Sequence, residues 1–161
     1  MRITHREMEL LIEHSKKDKM LGVAIKGALS QIRHYNHLVS QGYNVIMNDS
    51  NNAGLPDFTI GDHLIEHKRA RNERYADGSI KVELQKTRAS GKCKSNRLYD
   101  KNFCDVLTVD VSEHTGILND YRYIAIRCLP SHSDFPKKLK VFHREDHNWK
   151  RTLEQALSES R

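Results

Sequence analysis

Asp57, Glu66 and Lys68 lie within a dozen positions of one another and have complementary chemistry. Two carboxylates that meet beside a lysine make a site for a divalent cation, because Mg²⁺ prefers oxygen ligands and keeps several of its waters. Such a cation lowers the pKa of a bound water and neutralises the charge that develops on phosphorus. The lysine can orient the attacking water. If the three side chains meet, the chemistry they predict is hydrolysis of a phosphodiester.

The same stretch also contains His63-x-x-Glu66-His67, which fits the H-x-x-E-H helix of a zinc protease. That alternative needs a helix, whereas the phosphodiester site needs strands. Gly61-Asp62 separates "PDFTI" from "HLIEHKRA", and a glycine followed by a polar residue suits a two-residue hairpin turn. The letters after the motif offer no apolar stripe that would bury a helix. The pattern therefore favours a hairpin and leaves the zinc protease as a remote alternative.

In the hairpin, alternation places Leu64, Glu66 and Lys68 on one face of their strand. Asp57 lies on the partner strand, near enough to meet Glu66, and the backbone carbonyl of His67 can supply one more metal ligand. The alternative without a function is that Asp57, Glu66 and Lys68 form a salt bridge on the surface of the hairpin. Against it, placing two carboxylates on strands this apolar costs free energy unless a cation or partner compensates.

The surrounding elements follow from periodicity and turn residues. Apolar residues at three- and four-residue spacing predict a helix over about 21–39, which Gly42 ends. The sequence predicts further helices at 5–15 and about 147–158, and strands at 43–47, 80–86, 104–111 and 121–128, with "LKVF" as an edge strand. We therefore expect one domain over residues 1–161, of the α/β (α+β) class, in which helices flank a mixed sheet of about five strands.

Pro56-Asp57, eight intervening residues and then Glu66-His67-Lys68 resemble the motif of the PD-(D/E)XK nuclease superfamily. The branch it resembles contains group I intron homing endonucleases, Mrr-like restriction enzymes and Holliday-junction resolvases. The resemblance covers about residues 20–128 and implies a restriction-endonuclease-like fold. It also implies Mg²⁺ as cofactor, with Mn²⁺ able to substitute, and Asp57 and Glu66 as its ligands.

Two further segments extend this resemblance. Gly27-x-x-x-Gln31 lies in the preceding helix, where relatives often have a metal-binding glutamate, so Gln31 is a departure that removes a charge from a tentative metal ligand. "VELQKTR" resembles a segment whose glutamine and lysine line the active site, which implies a catalytic role for Gln85 and a place nearby for Lys86. "RLYDKNFCDVLTVDV" resembles the stretch before a central strand in the homing endonucleases.

The positive charge is concentrated in one segment. From Lys68 to Lys101 there are eleven Lys and Arg against four Asp and Glu, a net of +7, while the remainder has sixteen against seventeen, a net of −1. A basic segment that begins at a carboxylate cluster is suited to phosphate. The residues predicted to bind DNA are Arg69, Arg71, Arg74, Lys86, Arg88, Lys92, Lys94 and Arg97.

The sequence thus predicts a metal-dependent endonuclease that acts on double-stranded DNA in homing or restriction. Two alternatives stay open: a structure-selective nuclease of the Holliday-junction type, and a catalytically inactive nucleic-acid-binding module of the same fold, which Gln31 favours. Cutting both strands usually needs two active sites, so we expect a homodimer or homotetramer. Cys93, Cys104 and Cys128 suit free thiols. We find no secretory signal or membrane span, and expect a cytoplasmic protein.

Overall fold

A computed structural model describes residues 5–48, 55–70, 72–85 and 97–160. The helices are α1 His5–Lys17, α2 Lys19–Ser40, α3 Ser112–Thr115 and α4 Leu153–Ser158. The strands are β1 Val45–Met47, β2 Phe58–Ile60, β3 His63–Arg69, β4 Lys81–Glu83, β5 Val106–Asp110, β6 Tyr121–Ala125 and β7 Phe142–Arg144. In this part of the chain, no helix combines the length and the apolar character that crossing a bilayer requires.

Five of the strands form one mixed sheet in the order β1-β2-β3-β5-β6, in which only the β3–β5 pair is parallel. This confirms the predicted α+β class with a mixed five-stranded sheet. The strand predicted at 80–86 is shorter, and as β4 it pairs with β7 in a separate two-stranded sheet. Of the predicted "LKVF" strand, only Phe142 lies in β7, so the strand begins three residues later than predicted.

The predicted hairpin is present, and its turn explains its register. Gly61 has a φ of +58°, and it is followed by Asp62, so the glycine supplies the left-handed position of a tight turn. Phe58 then pairs with Ile65. The zinc-protease prediction is wrong, because His63 and His67 lie in the strand β3 and not in a helix. Residues four apart in a strand are separated by about 13 Å, which is too far for both to bind one zinc ion.

The helix ends differ from the prediction in two places. Helix α1 continues two residues beyond the predicted end at 15, and Asp18 then caps α2 by accepting from the backbone N–H groups of its first turn. The C-terminal helix begins at Leu153 rather than near 147, with Thr152 as its N-cap. Trp149 precedes it and is buried, with its indole N–H donating to the Arg144 carbonyl. The strand predicted at 121–128 ends at Ala125 and continues as a 3₁₀ turn.

Both faces of the five-stranded sheet are covered. One apolar cluster joins the sheet to α2 and α4 and includes Leu38, Phe58, Ile65 and Leu153. A second cluster lies on the opposite face, where Val82 of β4 and the following Leu84 pack with Leu107 and Val109 of β5. Strands β3 and β5 are therefore held from both sides. This burial fixes the backbone from which the Glu66 and Lys68 side chains project.

Candidate active site

The hairpin register brings Asp57 and Glu66 together. Phe58–Ile65 is the last paired position of β2 and β3, and one further step along this register sets Asp57 opposite Glu66. The backbone of the even-numbered residues in β3 faces β5, since Leu64 accepts from the Asp105 N–H on that side. Asp57 and Glu66 thus occupy a position without mutual backbone hydrogen bonds, where opposed side chains are closest.

The Asp57 carboxylate is held from two directions. One oxygen accepts from the backbone N–H of His67 at 2.8 Å, and the other accepts from the Gln31 side-chain amide at 2.9 Å. The structure therefore places Gln31, predicted as a tentative ligand, directly beside Asp57. The amide of Gln31 is a neutral donor to the carboxylate, so it orients Asp57 without adding the negative charge of a glutamate.

The electrostatic environment of Asp57 opposes its ionisation. Burial, and then the neighbouring Glu66 carboxylate, raise the pKa of Asp57 to about 6, although the His67 N–H and the Lys68 ammonium act in the opposite direction. Lys68 is one cation beside two carboxylates. A divalent cation would offset the surplus negative charge and return the pKa of Asp57 toward its ordinary range.

Glu66 is only 5% exposed and has two donors on one oxygen. Its Oε1 accepts from the Lys68 ammonium at 2.5 Å and from the Tyr99 hydroxyl at 2.6 Å. The Lys68 Nζ also lies 5.1 Å from the centroid of the Tyr99 ring. Burial, and then the charge of Glu66, raise the pKa of Tyr99 well above its ordinary value, so its hydroxyl stays a donor.

Tyr99 is the site residue that sequence reasoning missed. It lies 33 positions after Glu66, beyond the basic loop, so no local spacing connects the two residues. The only signal was its place inside "RLYDKN", within a segment used for the family resemblance. A backbone hydrogen bond from Leu139 to the Tyr99 carbonyl holds the residue in place.

Pro56 explains why the carbonyl of His67 is suited to a ligand. Continuing the register sets Pro56 opposite His67, and proline has no N–H to donate to that carbonyl. The Pro56 carbonyl itself accepts from the Asn48 side chain at 2.8 Å. The proline of the motif therefore ends the ladder where a metal-binding carbonyl was predicted.

A buried polar chain ties this strand to the helix behind it. The Ser30 hydroxyl donates to Asp110 at 2.6 Å, so the ring N–H of His67 donates to Ser30, at 2.8 Å from its Nε2. Burial lowers the pKa of His67 to about 3 and keeps the ring neutral, and His34 stacks on it with centroids 4.7 Å apart. Ser30 is itself buried, so this chain links α2, β3 and β5 and presents no nucleophile to a substrate.

The donor set fits a hard divalent cation. No group of three or more His, Cys, Asp or Glu side chains suited to a metal occurs among the described residues. A metal here would therefore rest on two carboxylates, Asp57 and Glu66, completed by the His67 carbonyl, the Gln31 side chain and water. Oxygen donors of this kind suit Mg²⁺ or Mn²⁺, whereas Zn²⁺ sites are built mainly from histidine and cysteine.

Comparison of the whole backbone with solved structures gives one informative match. It covers 81% of this chain and 82% of the other, with a TM-score of 0.52 at 15% sequence identity, and the matched protein is the bacterial enzyme I-Ssp6803I. The fold resembles that of a homing endonuclease. No family model matches the sequence, and no curated protein does. At this level of identity, the similarity to the homing endonuclease establishes the fold alone.

In this homing-endonuclease-like fold, Arg69 and Arg74 already have partners within the chain. Arg69 pairs with Glu113 at 2.7 Å, and Arg74 donates to the carbonyls of Gly78 and His114 at 2.6 and 3.0 Å. Arg97 is exposed. The other predicted DNA-binding residues lie outside the described residues: Arg71, Lys86, Arg88, Lys92 and Lys94.

Gln85 is half-buried and lies two residues after the end of β4, where the chain leaves the small sheet. The preceding Leu84 is fully buried and donates its N–H to the Val141 carbonyl. The small sheet covers the face of the large sheet from which Glu66 and Lys68 project. The predicted role of Gln85 in catalysis stays a prediction.

Proposed function

We propose that the protein is a metal-dependent endonuclease of the PD-(D/E)XK type, which hydrolyses phosphodiester bonds in double-stranded DNA during homing or restriction. The observation that carries this proposal is the convergence of Asp57 and Glu66 beside Lys68 on the central hairpin. The similarity of the backbone to a homing endonuclease supports it. So does the net charge of +7 between Lys68 and Lys101.

Asp57 and Glu66 would hold Mg²⁺ or Mn²⁺, with the His67 carbonyl and Gln31 completing the set. Such a cation, when bound, acidifies water and offsets negative charge at phosphorus. In hydrolysis the water oxygen bonds to phosphorus, the bond to the leaving sugar oxygen breaks, and that oxygen takes up a proton. Lys68 would orient the water, and its ammonium lies 2.5 Å from Glu66 Oε1, which supports this role. Tyr99 holds the Glu66 carboxylate in place by donating a hydrogen bond to the same oxygen, Oε1.

A binding module without catalysis is the second candidate, and Gln31 is the observation that favours it. The side chain that stands at the place of an acidic ligand instead donates a hydrogen bond to Asp57. This arrangement keeps the fold and the basic segment but gives the cation one carboxylate fewer. A pure binder would shift DNA in a gel and never nick it.

Nicking of supercoiled plasmid with Mg²⁺, with Mn²⁺ and with EDTA tests the proposal. We expect metal-dependent nicking that Glu66→Gln and Lys68→Ala each reduce by at least about 100-fold. Lys150→Ala is the matched control, since Lys150 is also about three-quarters buried and forms an ion pair of 2.7 Å, with Glu159. It should leave nicking unchanged.

A four-way junction as parallel substrate separates the two kinds of nuclease. Cutting of the junction alone would establish the structure-selective alternative in place of homing or restriction. DNA that stays intact with either metal, while salt-sensitive binding persists, would support the binding module. Nicking that survives both substitutions would refute the site.

A further inference from the structure

A recess of about 330 Å³ opens at the end of the five-stranded sheet, one row of side chains from Glu66. The register pairs Glu66 with Leu107 of β5, and two residues earlier on β3 the Leu64 side chain lies on the same face, about 6.6 Å along the strand. Leu64 lines the recess, and Cys104 and Ile126 complete its floor. The Cys104 thiol accepts a hydrogen bond from the backbone N–H of Glu66. The floor of the recess therefore touches the strand that carries the candidate site.

The two cations on the rim of this recess are not neutralised within the described part of the chain. Lys101 and Arg127 form no ion pair among the described residues, whereas Arg122 pairs with Glu145 and Lys138 pairs with a carboxylate of its own, each at 2.7 Å. Lys101 is half-buried and Arg127 is exposed. Their charges are therefore available to a ligand that enters the recess.

One carboxylate, that of Asp105, also lines the recess, but it already has partners. Its Oδ2 accepts from the Leu64 N–H at 2.7 Å and lies 4.0 Å from the His63 ring. The lining thus has two cations against one carboxylate, with Asn102 and Ser160 as neutral hydrogen-bonding groups. A single carboxylate that is already bonded to the backbone is a poor site for a cation. Cationic and neutral donors together suit a phosphate group.

We infer that this recess holds the phosphate next to the one that is cut on the same DNA strand, with Lys101 and Arg127 as its charged contacts. The inference rests on the proposed function, because a strand bound at Asp57 and Glu66 brings its adjacent phosphate to this end of the sheet. Every nucleotide carries one phosphate, so such a contact fixes the position of the strand without reading its sequence. Arg127 lies outside the basic segment between Lys68 and Lys101, so only the fold connects it with DNA binding.

Fluorescence anisotropy of labelled duplex in EDTA tests the recess as a phosphate site. Lys101→Ala with Arg127→Ala removes both cations from one phosphate, so the slope of log affinity against log salt should fall by roughly 0.9. Lys16→Ala with Lys17→Ala is the matched control, since these exposed lysines lie on α1, and it should keep the wild-type slope. In the nicking assay, the variant of the recess should raise KM at least about fivefold and leave kcat within about twofold, because its phosphate is not the reacting one.

Asn102→Asp tests the same rim without removing a side chain. It adds a carboxylate of the same shape where the phosphate would bind, so the affinity for duplex should fall about fivefold. Asn36→Asp brings the same change of net charge to an exposed position on α2 and should leave the affinity unchanged. A wild-type slope in the double alanine variant of the recess, or equal affinities of the two aspartate variants, would overturn the inference and leave the hairpin site standing. A wild-type chain that neither binds nor nicks DNA would refute the proposed function, and this inference with it.

Discussion

Burial and the neighbouring Glu66 carboxylate both oppose ionisation of Asp57, which raises its pKa to about 6 from an ordinary 3.8. Between these two values the unfolded chain releases a proton that the folded chain keeps. The stability that Asp57 contributes is therefore present at low pH and is lost as the pH rises through this window. Above pH 6 the loss is complete and stays constant.

Asp57→Asn should abolish this loss. In EDTA, we expect the free energy of unfolding of the variant, relative to the wild type, to rise by about 2 kcal/mol between pH 4 and pH 7, a value discounted for the partial exposure of the group. Urea titrations at several pH values measure it. Asn44→Gln, at an exposed position without a titratable group, is the control and should show no such trend. A constant difference for Asp57→Asn would contradict the raised pKa.

Tyr99→Phe separates the hydroxyl of Tyr99 from its ring. The ring under Lys68 is kept, while the hydrogen bond to Glu66 is lost. We expect about 1–2 kcal/mol less stability, because a charged acceptor loses a buried donor. We also expect kcat for nicking to fall by roughly tenfold with little change in KM, since Tyr99 orients Glu66 rather than binding DNA.

Tyr75→Phe is the matched control for Tyr99, because the Tyr75 ring also lies beside a cation, 4.8 Å from the Arg144 guanidinium. It should leave kcat unchanged. Equal losses of kcat in both variants would contradict the positioning role of Tyr99.

The site residues differ in how far the sequence could predict them. Asp57, Glu66 and Lys68 belong to one hairpin and one spacing pattern, whereas Tyr99 reaches the site through tertiary packing.

At the scale of elements, the hairpin turn decides whether the carboxylates meet. Gly61 adopts a φ of +58°, which costs an L-residue about 1–2 kcal/mol. Gly61→Ala should lower the free energy of unfolding by about that amount. Gly27→Ala is the matched control, and it should raise the free energy of unfolding. A Cβ at Gly27 meets nothing within 4 Å in α2, and alanine favours a helix over glycine by about 0.5–1 kcal/mol. Thermal or urea denaturation measures both, and an unaffected Gly61→Ala protein would argue against the left-handed turn.

The elements were predictable where one local pattern dominated. The periodicity of α2, its stop at Gly42 and the hairpin all follow from near neighbours in sequence. The C-terminal helix was predicted too long, because Trp149 continues the spacing of Leu153 and Leu157, although its indole packs in the core before the helix begins. The true start had a signal, since Thr152 and Gln155 have the spacing of a capping box and the Thr152 hydroxyl accepts from the Gln155 N–H. The pairing of β4 with β7 depends on contacts 60 residues apart that local patterns do not contain.

At the scale of the whole molecule, the net charge of +7 between Lys68 and Lys101 predicts DNA binding that weakens steeply with salt. Arg97→Ala should reduce the slope of log affinity against log salt by roughly 0.9, the value for one phosphate contact. Fluorescence anisotropy of labelled duplex in EDTA measures the slope. Arg151→Ala, at an exposed arginine outside this segment, should leave it unchanged. Equal slopes for wild type and Arg97→Ala would remove Arg97 from the DNA-binding surface.

The number of active sites brought to one duplex determines the pattern of cuts. One chain has one hairpin site, so a monomer breaks one strand per encounter, while the expected homodimer or homotetramer brings two sites to one duplex. At equal total cutting, the ratio of linear to nicked plasmid should therefore rise with protein concentration as the chain associates. Timed gel assays over a range of protein concentrations measure that ratio. A ratio that is the same at every concentration would contradict paired cutting by an associated protein.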